Sequence, residues 1–170
     1  MKLNHFLLLL LALPMLSACN QTDDVIDIFT GKTWKLTGIF YDKGSNEWCM
    51  DYWNSKEEKD ASDKLFEKAE TYTIRFTGIK NENAGQGEYE GYATHSAIKG
   101  QWVANGDNNS FQIGGQAPPG NNEDVLAKAF INGLIGASKY EGDENNLRIY
   151  FEDTDKKDRR FLMFHVVKPQ

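Results

Sequence analysis

The chain of 170 residues is poor in the residue types that announce chemistry: it has two cysteines, three histidines and four prolines. Beyond the N-terminal segment only His95, His165 and Cys49 remain as nitrogen or sulfur ligands, which is no zinc pattern. A thiol–imidazole pair from Cys49 with either histidine has no spacing in its favour. Cys49 reads as a buried or looped thiol, His165 as a core or edge histidine, and His95 as solvated. No Gly-x-Ser-x-Gly elbow occurs. Gly114-Gly115 lacks the Gly-Lys-Ser/Thr of a phosphate loop, and Gly85-x-Gly87 lacks a preceding strand and a following helix. Asp153, Asp155 and Asp158 crowd one segment, but Lys156 and Lys157 stand where calcium ligands or a glycine are needed. The expectation is a protein without catalytic residues, metal or cofactor. Positive charge is short as well. With 19 basic and 25 acidic side chains the net charge is -6, which leaves no electrostatic footprint for nucleic acid.

Long hydrophobic runs are also missing, with one short exception. Phe6 to Leu13 is apolar, follows Lys2 and is broken by Pro14. It is too short to span a bilayer, which takes about 20 residues, and it has the layout of a secretory signal peptide. The run closes on Leu16-Ser17-Ala18-Cys19, which resembles the lipobox of bacterial lipoproteins. That resemblance implies a signal peptide over 1–18, a diacylglycerol thioether on Cys19 and membrane attachment through that lipid. Asn20 gives no inner-membrane retention signal. The following Gln21-Thr22-Asp23-Asp24 is similar to the short acidic signal that sends some lipoproteins to the outer cell surface. Loss of Lys2 with the signal leaves 18 basic against 25 acidic side chains, a net of -7. Such a domain gains nothing from an anionic leaflet, so the lipid must hold it there. With Cys19 acylated, Cys49 stands alone and no internal disulfide is available.

What is present is an aromatic, alternating chain. Hydrophobic residues make up 40% and aromatics 12%, too much for disorder and enough, over about 150 mature residues, for one core. Residues 19–30 read as a lipid-anchored tether and 31–168 as a single domain. Strands are expected at 34–41, with Trp34, Leu36 and Phe40 on one face, at 72–77, at 88–94, at 97–104 and at 110–113. A closing hairpin is expected over 147–151 and 161–167. Gly78 to Gly87 reads as a polar loop, and Asn105-Gly106 as a turn. Residues 42–70 look like an insertion with a short surface helix around 62–69. A second helix, about 122–136, has the 3.6-residue period, a cap at Asn121 or Asn122 and Gly136 at its end. The fold class is α+β, mostly β: an antiparallel sheet or partly closed barrel of about seven to eight strands with one packed helix.

Trp48, Tyr52 and Trp53 in the insertion are the candidate ligand or partner patch. Trp and Tyr offer large contact area at low entropic cost, so exposed they would suit a protein or glycan partner. Otherwise they cap an open end of the sheet as ordinary core. The order of features from Gly31 to Val167 resembles the META domain family of small bacterial envelope proteins. The resemblance rests on Gly31-x-x-Trp34-x-Leu36, Tyr72-x-Ile74-x-Phe76, Glu123-Asp124 through Phe130 and Leu134, Tyr140-Glu141-Gly142-Asp143, and Leu147-x-Ile149. It departs where Gly87-Glu88-Tyr89-Glu90-Gly91-Tyr92 stands in place of a Gly-Cys-Asn motif. The opening Gly31-x-x-Trp34 is also similar to the lipocalin-like start Gly-x-Trp, one residue longer. The META resemblance implies a non-enzymatic, stress-related envelope protein; together with the lipobox the expectation is a lipid-anchored outer-membrane lipoprotein of Gram-negative type, surface-exposed or periplasm-facing, with a binding or envelope-maintenance role. The lipocalin resemblance implies instead a carrier of a small apolar ligand, which a barrel filled by Trp34, Phe40, Phe76, Trp102 and Phe151 would argue against.

Overall fold

A computed structural model of the chain describes residues 24–43, 48–81 and 84–167; the expected signal peptide, the lipidation site Cys19 and the start of the tether lie outside them. Eight antiparallel strands follow one another round a closed barrel. They are β1 (Thr33–Tyr41), β2 (Thr73–Asn81), β3 (Ala84–Tyr92), β4 (Ala97–Asn105), β5 (Ser110–Gly114), β6 (Ala137–Gly142), β7 (Asn146–Asp153) and β8 (Asp158–Val166), with β8 closing onto β1. Helix α1 (Asp24–Phe29) precedes them, a 3-10 turn (Met50–Tyr52) and α2 (Lys56–Phe66) lie between β1 and β2, and α3 (Val125–Ile135) joins β5 to β6. The expected mostly-β, α+β class is therefore realised as a complete eight-stranded barrel.

Alternation sets what faces inward. Ile98, Trp102 and Ala104 of β4 are buried, while Lys99, Gln101 and Val103 between them are exposed. Outward positions on β2 and β3 carry Arg75, Thr77, Gln86, Glu88 and Glu90. A polar exterior around an apolar interior is the reverse of a lipid-embedded barrel. Two seams in the barrel are thin. β1 meets β2 only over Thr33–Lys35 and Thr73–Arg75, and β5 meets β6 through Ser110 and Lys139.

The two helices that fill the barrel ends account for its core. Residues 24–29, expected to belong to the tether, form α1 because Val25, Ile28 and Phe29 fall on one helical face and are all buried. Phe29 enters the interior at the end holding the β2–β3, β4–β5 and β6–β7 turns, here termed the N-terminal end. Its ring centroid lies 4.9 to 5.1 Å from those of Phe76, Trp102, Phe111 and Tyr140. At the other, insertion end, α3 buries Leu126, Phe130, Ile131 and Leu134 against β5, β7 and β8. Phe130 packs 6.0 Å from Tyr72 and 6.1 Å from Phe164.

Several local expectations are corrected. Phe40 faces outward, stacked 5.5 Å from Phe161, because the β1–β8 register shifts between Leu36 and Gly38 and turns Ile39 inward. Gly38 is required there: a Cβ would sit 1.5 Å from Trp48 Nε1. Residues 78–87 are not a polar loop but the paired body of the β2–β3 hairpin, Gly78 opposite Gly87. Glycine depresses strand propensity, yet a Cβ at Gly87 would lie 2.0 Å from the Thr77 carbonyl oxygen, so only glycine permits this approach. Helix α2 begins at Lys56 rather than near 62, under a capping box: Glu58 N–H donates to Ser55 Oγ (3.2 Å), and Asn54 N–H to Glu58 Oε2 (2.8 Å). The cap of α3 is Asp124, which accepts from the N–H groups of Leu126 and Ala127, and not Asn121 or Asn122.

Phe29 touches four rings that themselves come from four strands, so its truncation opens a cavity the barrel cannot collapse into. Phe29→Ala should cost about 3–5 kcal/mol of unfolding free energy in urea, against about zero for the exposed Asp27→Ala. A loss under about 1 kcal/mol for Phe29→Ala would show that the barrel closes without its plug.

Candidate binding surface at the insertion end

The segment between β1 and β2 folds down on the barrel's insertion end and brings the predicted aromatics there as two separate groups. Trp48 lies over Gly38 and forms an antiparallel bridge with Phe40, and Cys49 N–H donates to the Ile39 carbonyl (2.8 Å). The Trp48 ring is 6.0 Å from Trp53 and edge-on to Phe66 at 5.5 Å. Lys59 Nζ sits 5.5 Å from both indole centroids and is tied to Asp63 Oδ2 at 2.6 Å. Trp53 Nε1 donates to Ser62 Oγ (3.0 Å), and Ser62 in turn donates to Asp124 Oδ2 (2.5 Å). Tyr72 O–H donates to the other oxygen of that carboxylate (2.8 Å). Trp48 and Trp53 are thus half-buried seams between α2, β1 and α3, not a flat stacking platform.

Tyr52 belongs to the second group, which sequence reading missed. Arg160 on β8 is fully buried and points into the barrel end. Its NH1 and NH2 donate to the two oxygens of Asp51 at 2.9 and 2.6 Å, and its Nε and NH2 donate to Asp158 at 2.5 and 3.0 Å. The rings of Tyr52 and Tyr41 lie 4.6 and 5.0 Å from the guanidinium carbon, and Tyr52 O–H donates to Asp153 Oδ2 (2.8 Å). Burial works to raise the Asp51 carboxyl, but hydrogen bonds from Arg160 and Tyr41 outweigh it and hold it below the usual carboxylate range. Burial and the Asp51 hydrogen bond push Tyr41 up to about 12. The only sequence signal for this group was an arginine at an inward position of an apolar strand, legible once β8 had a register.

Each nitrogen of the guanidinium has a carboxylate partner, which decides what the group can do. The guanidinium is spent on Asp51 and Asp158 and fixes the 3-10 turn to the β7–β8 hairpin. Burial pushes the Cys49 thiol up to about 12, so it is protonated and a poor nucleophile. His165, expected at core or edge, is exposed on the outer face of β8. Among the described residues no group of three or more His, Cys, Asp or Glu is placed to hold a metal, and no buried side-chain nitrogen or oxygen lacks a hydrogen-bond partner. Concave space lies outside the barrel. A cleft of about 460 Å³ opens between α3 and the β7–β8 hairpin, with Tyr52 and Phe151 on its floor and Lys128, Asn132, Asp153 and Lys156 at its rim. Of the three predicted aromatics, Tyr52 lines it. A shallower groove of about 950 Å³ runs over the outside of β1–β4 between Lys32, Thr73, Arg75, Glu90, Tyr92 and Val167.

The geometry defines a small antiparallel barrel domain with a filled interior and polar exterior. Residues 20–166 match the family described as a domain of unknown function (DUF4847), and the chain belongs to that family. The expected META domain membership is thereby overturned, and the match does not point to the lipocalins either. The residues that suggested META are spaced hydrophobes of β1, β2 and the β6–β7 hairpin, which any barrel with inward alternation produces, and the apolar face of α3, which any amphipathic helix packed on a barrel end produces. Among curated proteins nothing matches. The chain is similar in fold to a DUF4847 family protein from Bacteroides vulgatus ATCC 8482, whose crystal structure extends to 1.00 Å: 21% identity, TM-score 0.60, 86% of this chain and 99% of that one.

Arg160→Leu should destabilise the domain by about 1–3 kcal/mol, because it removes the charge-assisted hydrogen bonds that tie Asp51 and Asp158 to the buried guanidinium, while the carboxylates left behind are more than a third exposed and stay partly hydrated. The folded pKa of Asp51 is depressed, so its contribution is present above the unfolded carboxylate value near 4 and lost as pH falls through the folded value. Urea midpoints measured downward from pH 7 should fall in the wild type below about pH 4 and fall less steeply in Arg160→Leu. Parallel acid limbs would show that Asp51 does not depend on Arg160.

Proposed function

We propose that this protein is a lipid-anchored outer-membrane lipoprotein of Gram-negative type whose domain is non-catalytic and acts by binding at its surface, in a partner-recognition or envelope-maintenance role. The observation that carries the binding half is the filled barrel. Trp34, Phe76, Trp102 and Phe151 are at most 2% exposed and Phe29 packs on Phe76, Trp102, Phe111 and Tyr140, so the interior is core rather than ligand cavity. This counts against the carrier reading. The partner surface is the insertion end, where the cleft beside Tyr52 and the exposed Met50 lie next to the half-buried Trp48 and Trp53. Its aromatic floor and mixed-charge rim suit a protein segment or glycan.

The anchoring half rests on Leu16-Ser17-Ala18-Cys19 and the short apolar run before it. Among the described residues no helix is long and apolar enough to cross a membrane, so the acyl chains on Cys19 are the attachment this reading requires. Cys19→Ala should move the protein from the membrane fraction to the soluble fraction in its own cell type. Continued membrane association of the variant would overturn the lipoprotein reading.

A further inference from the structure

We infer that the bilayer surface is itself a partner of the barrel: Ile79 and Val103 at the N-terminal end touch the headgroup interface, and the insertion end points away from the membrane. This rests on lipidation of Cys19, the reading proposed above. Cys19 stands five residues before Asp24, and five residues of chain reach at most about 17 Å. Where the chain then enters the barrel is fixed. Val25 Cγ1 and Ile26 Cδ1 each lie 3.0 Å from the position a Cβ on Gly85 would take. Gly85 is paired with Lys80 and with Ala104, one residue from Ile79 and from Val103.

The outer row beside that entry point is Ile79, Gln86, Val103 and Gln112, set by register across β2 to β5. The row itself carries no charge in a chain of net charge -6. Ile79 is 68% and Val103 42% exposed, and Val167 at the end of β8 is exposed on the same end, where its N–H donates to Thr33. Exposed apolar side chains also occur at the insertion end, in Met50, Tyr92 and Ile135, so exposure alone does not choose an end. The tether does. Strands of nine residues tilted in a barrel separate the two ends by roughly 20–25 Å, more than the tether can bridge with the barrel upright. The Trp48, Trp53 and Tyr52 surface is thereby presented outward to whatever lies beyond the membrane.

The test uses the full, lipidated protein purified from its own cells and reconstituted in vesicles of phosphatidylethanolamine and phosphatidylglycerol with brominated acyl chains. In a Cys49→Ser background, Ile79→Cys and Met50→Cys are each labelled with a small fluorophore; both side chains are exposed, so neither change disturbs the core. The expected result is at least twofold quenching of the label at 79 relative to unbrominated vesicles, and none at 50. Equal quenching at both positions, or stronger quenching at 50, would overturn the inference. The mass of the N-terminal peptide separates the two readings. A peptide without acyl mass on Cys19 overturns the lipoprotein reading and this one with it. An acylated peptide with no quenching at 79 overturns the orientation alone.

Discussion

Phe29 is the point on which the structure turns. An eight-stranded antiparallel barrel leaves an interior just wide enough to be filled by side chains or to hold one small ligand. Here a helix of six residues carries one ring into that space, where it stacks on Trp102 and Phe111 and meets Phe76 and Tyr140 edge-on, all within 5.1 Å. The rings come from β2, β4, β5 and β6, so the strands are held to a common centre as well as to one another. That centre offsets the thin β1–β2 and β5–β6 seams, where few backbone hydrogen bonds are made. It also fills with side chains the space that an internal ligand cavity would need.

The insertion end solves a different problem. Helix α3 and the 48–70 segment cover the second opening, and both need fixed attachment to strands they do not pair with. Asp124 does this for α3: it caps the helix while accepting from Ser62 of α2 and Tyr72 before β2. Arg160 does it for the 3-10 turn, gripping Asp51 on one side and Asp158 on the other between two tyrosine rings. A buried ion group of this kind contributes little net stability relative to an apolar packing, but it tolerates only one arrangement of its partners. The cleft between α3 and the β7–β8 hairpin owes its shape to these two attachments.

The sequence made the strands and α3 legible because their hydrophobic periods are regular, as in Tyr72-x-Ile74-x-Phe76 and in Leu126, Phe130 and Leu134. It was least legible where glycine or a bulge overrode the period. Residues 78–87 read as loop because strand-forming side chains are replaced by glycines that let backbones approach, and a strict two-residue alternation puts Phe40 inward because it cannot show the bulge at Gly38. The short apolar face of α1 was hidden by its acidic surroundings. In the candidate site Trp48, Tyr52 and Trp53 stood out by residue type, but their division between a Lys59-capped seam and the Arg160 group depends on contacts more than 100 residues apart in the chain. Family membership was beyond the reach of spaced hydrophobes, since those report a barrel and not a lineage.

The surface-binding reading depends on a barrel interior that is filled. Native mass spectrometry of the mature domain from residue 20, purified without detergent from its own cell type, tests this directly. The expected result is a mass without an apolar small-molecule adduct. A discrete apolar small-molecule adduct that is lost on denaturation and survives Lys128→Glu at the rim of the outer cleft would contradict it and place a ligand inside a barrel that Phe29 must then leave.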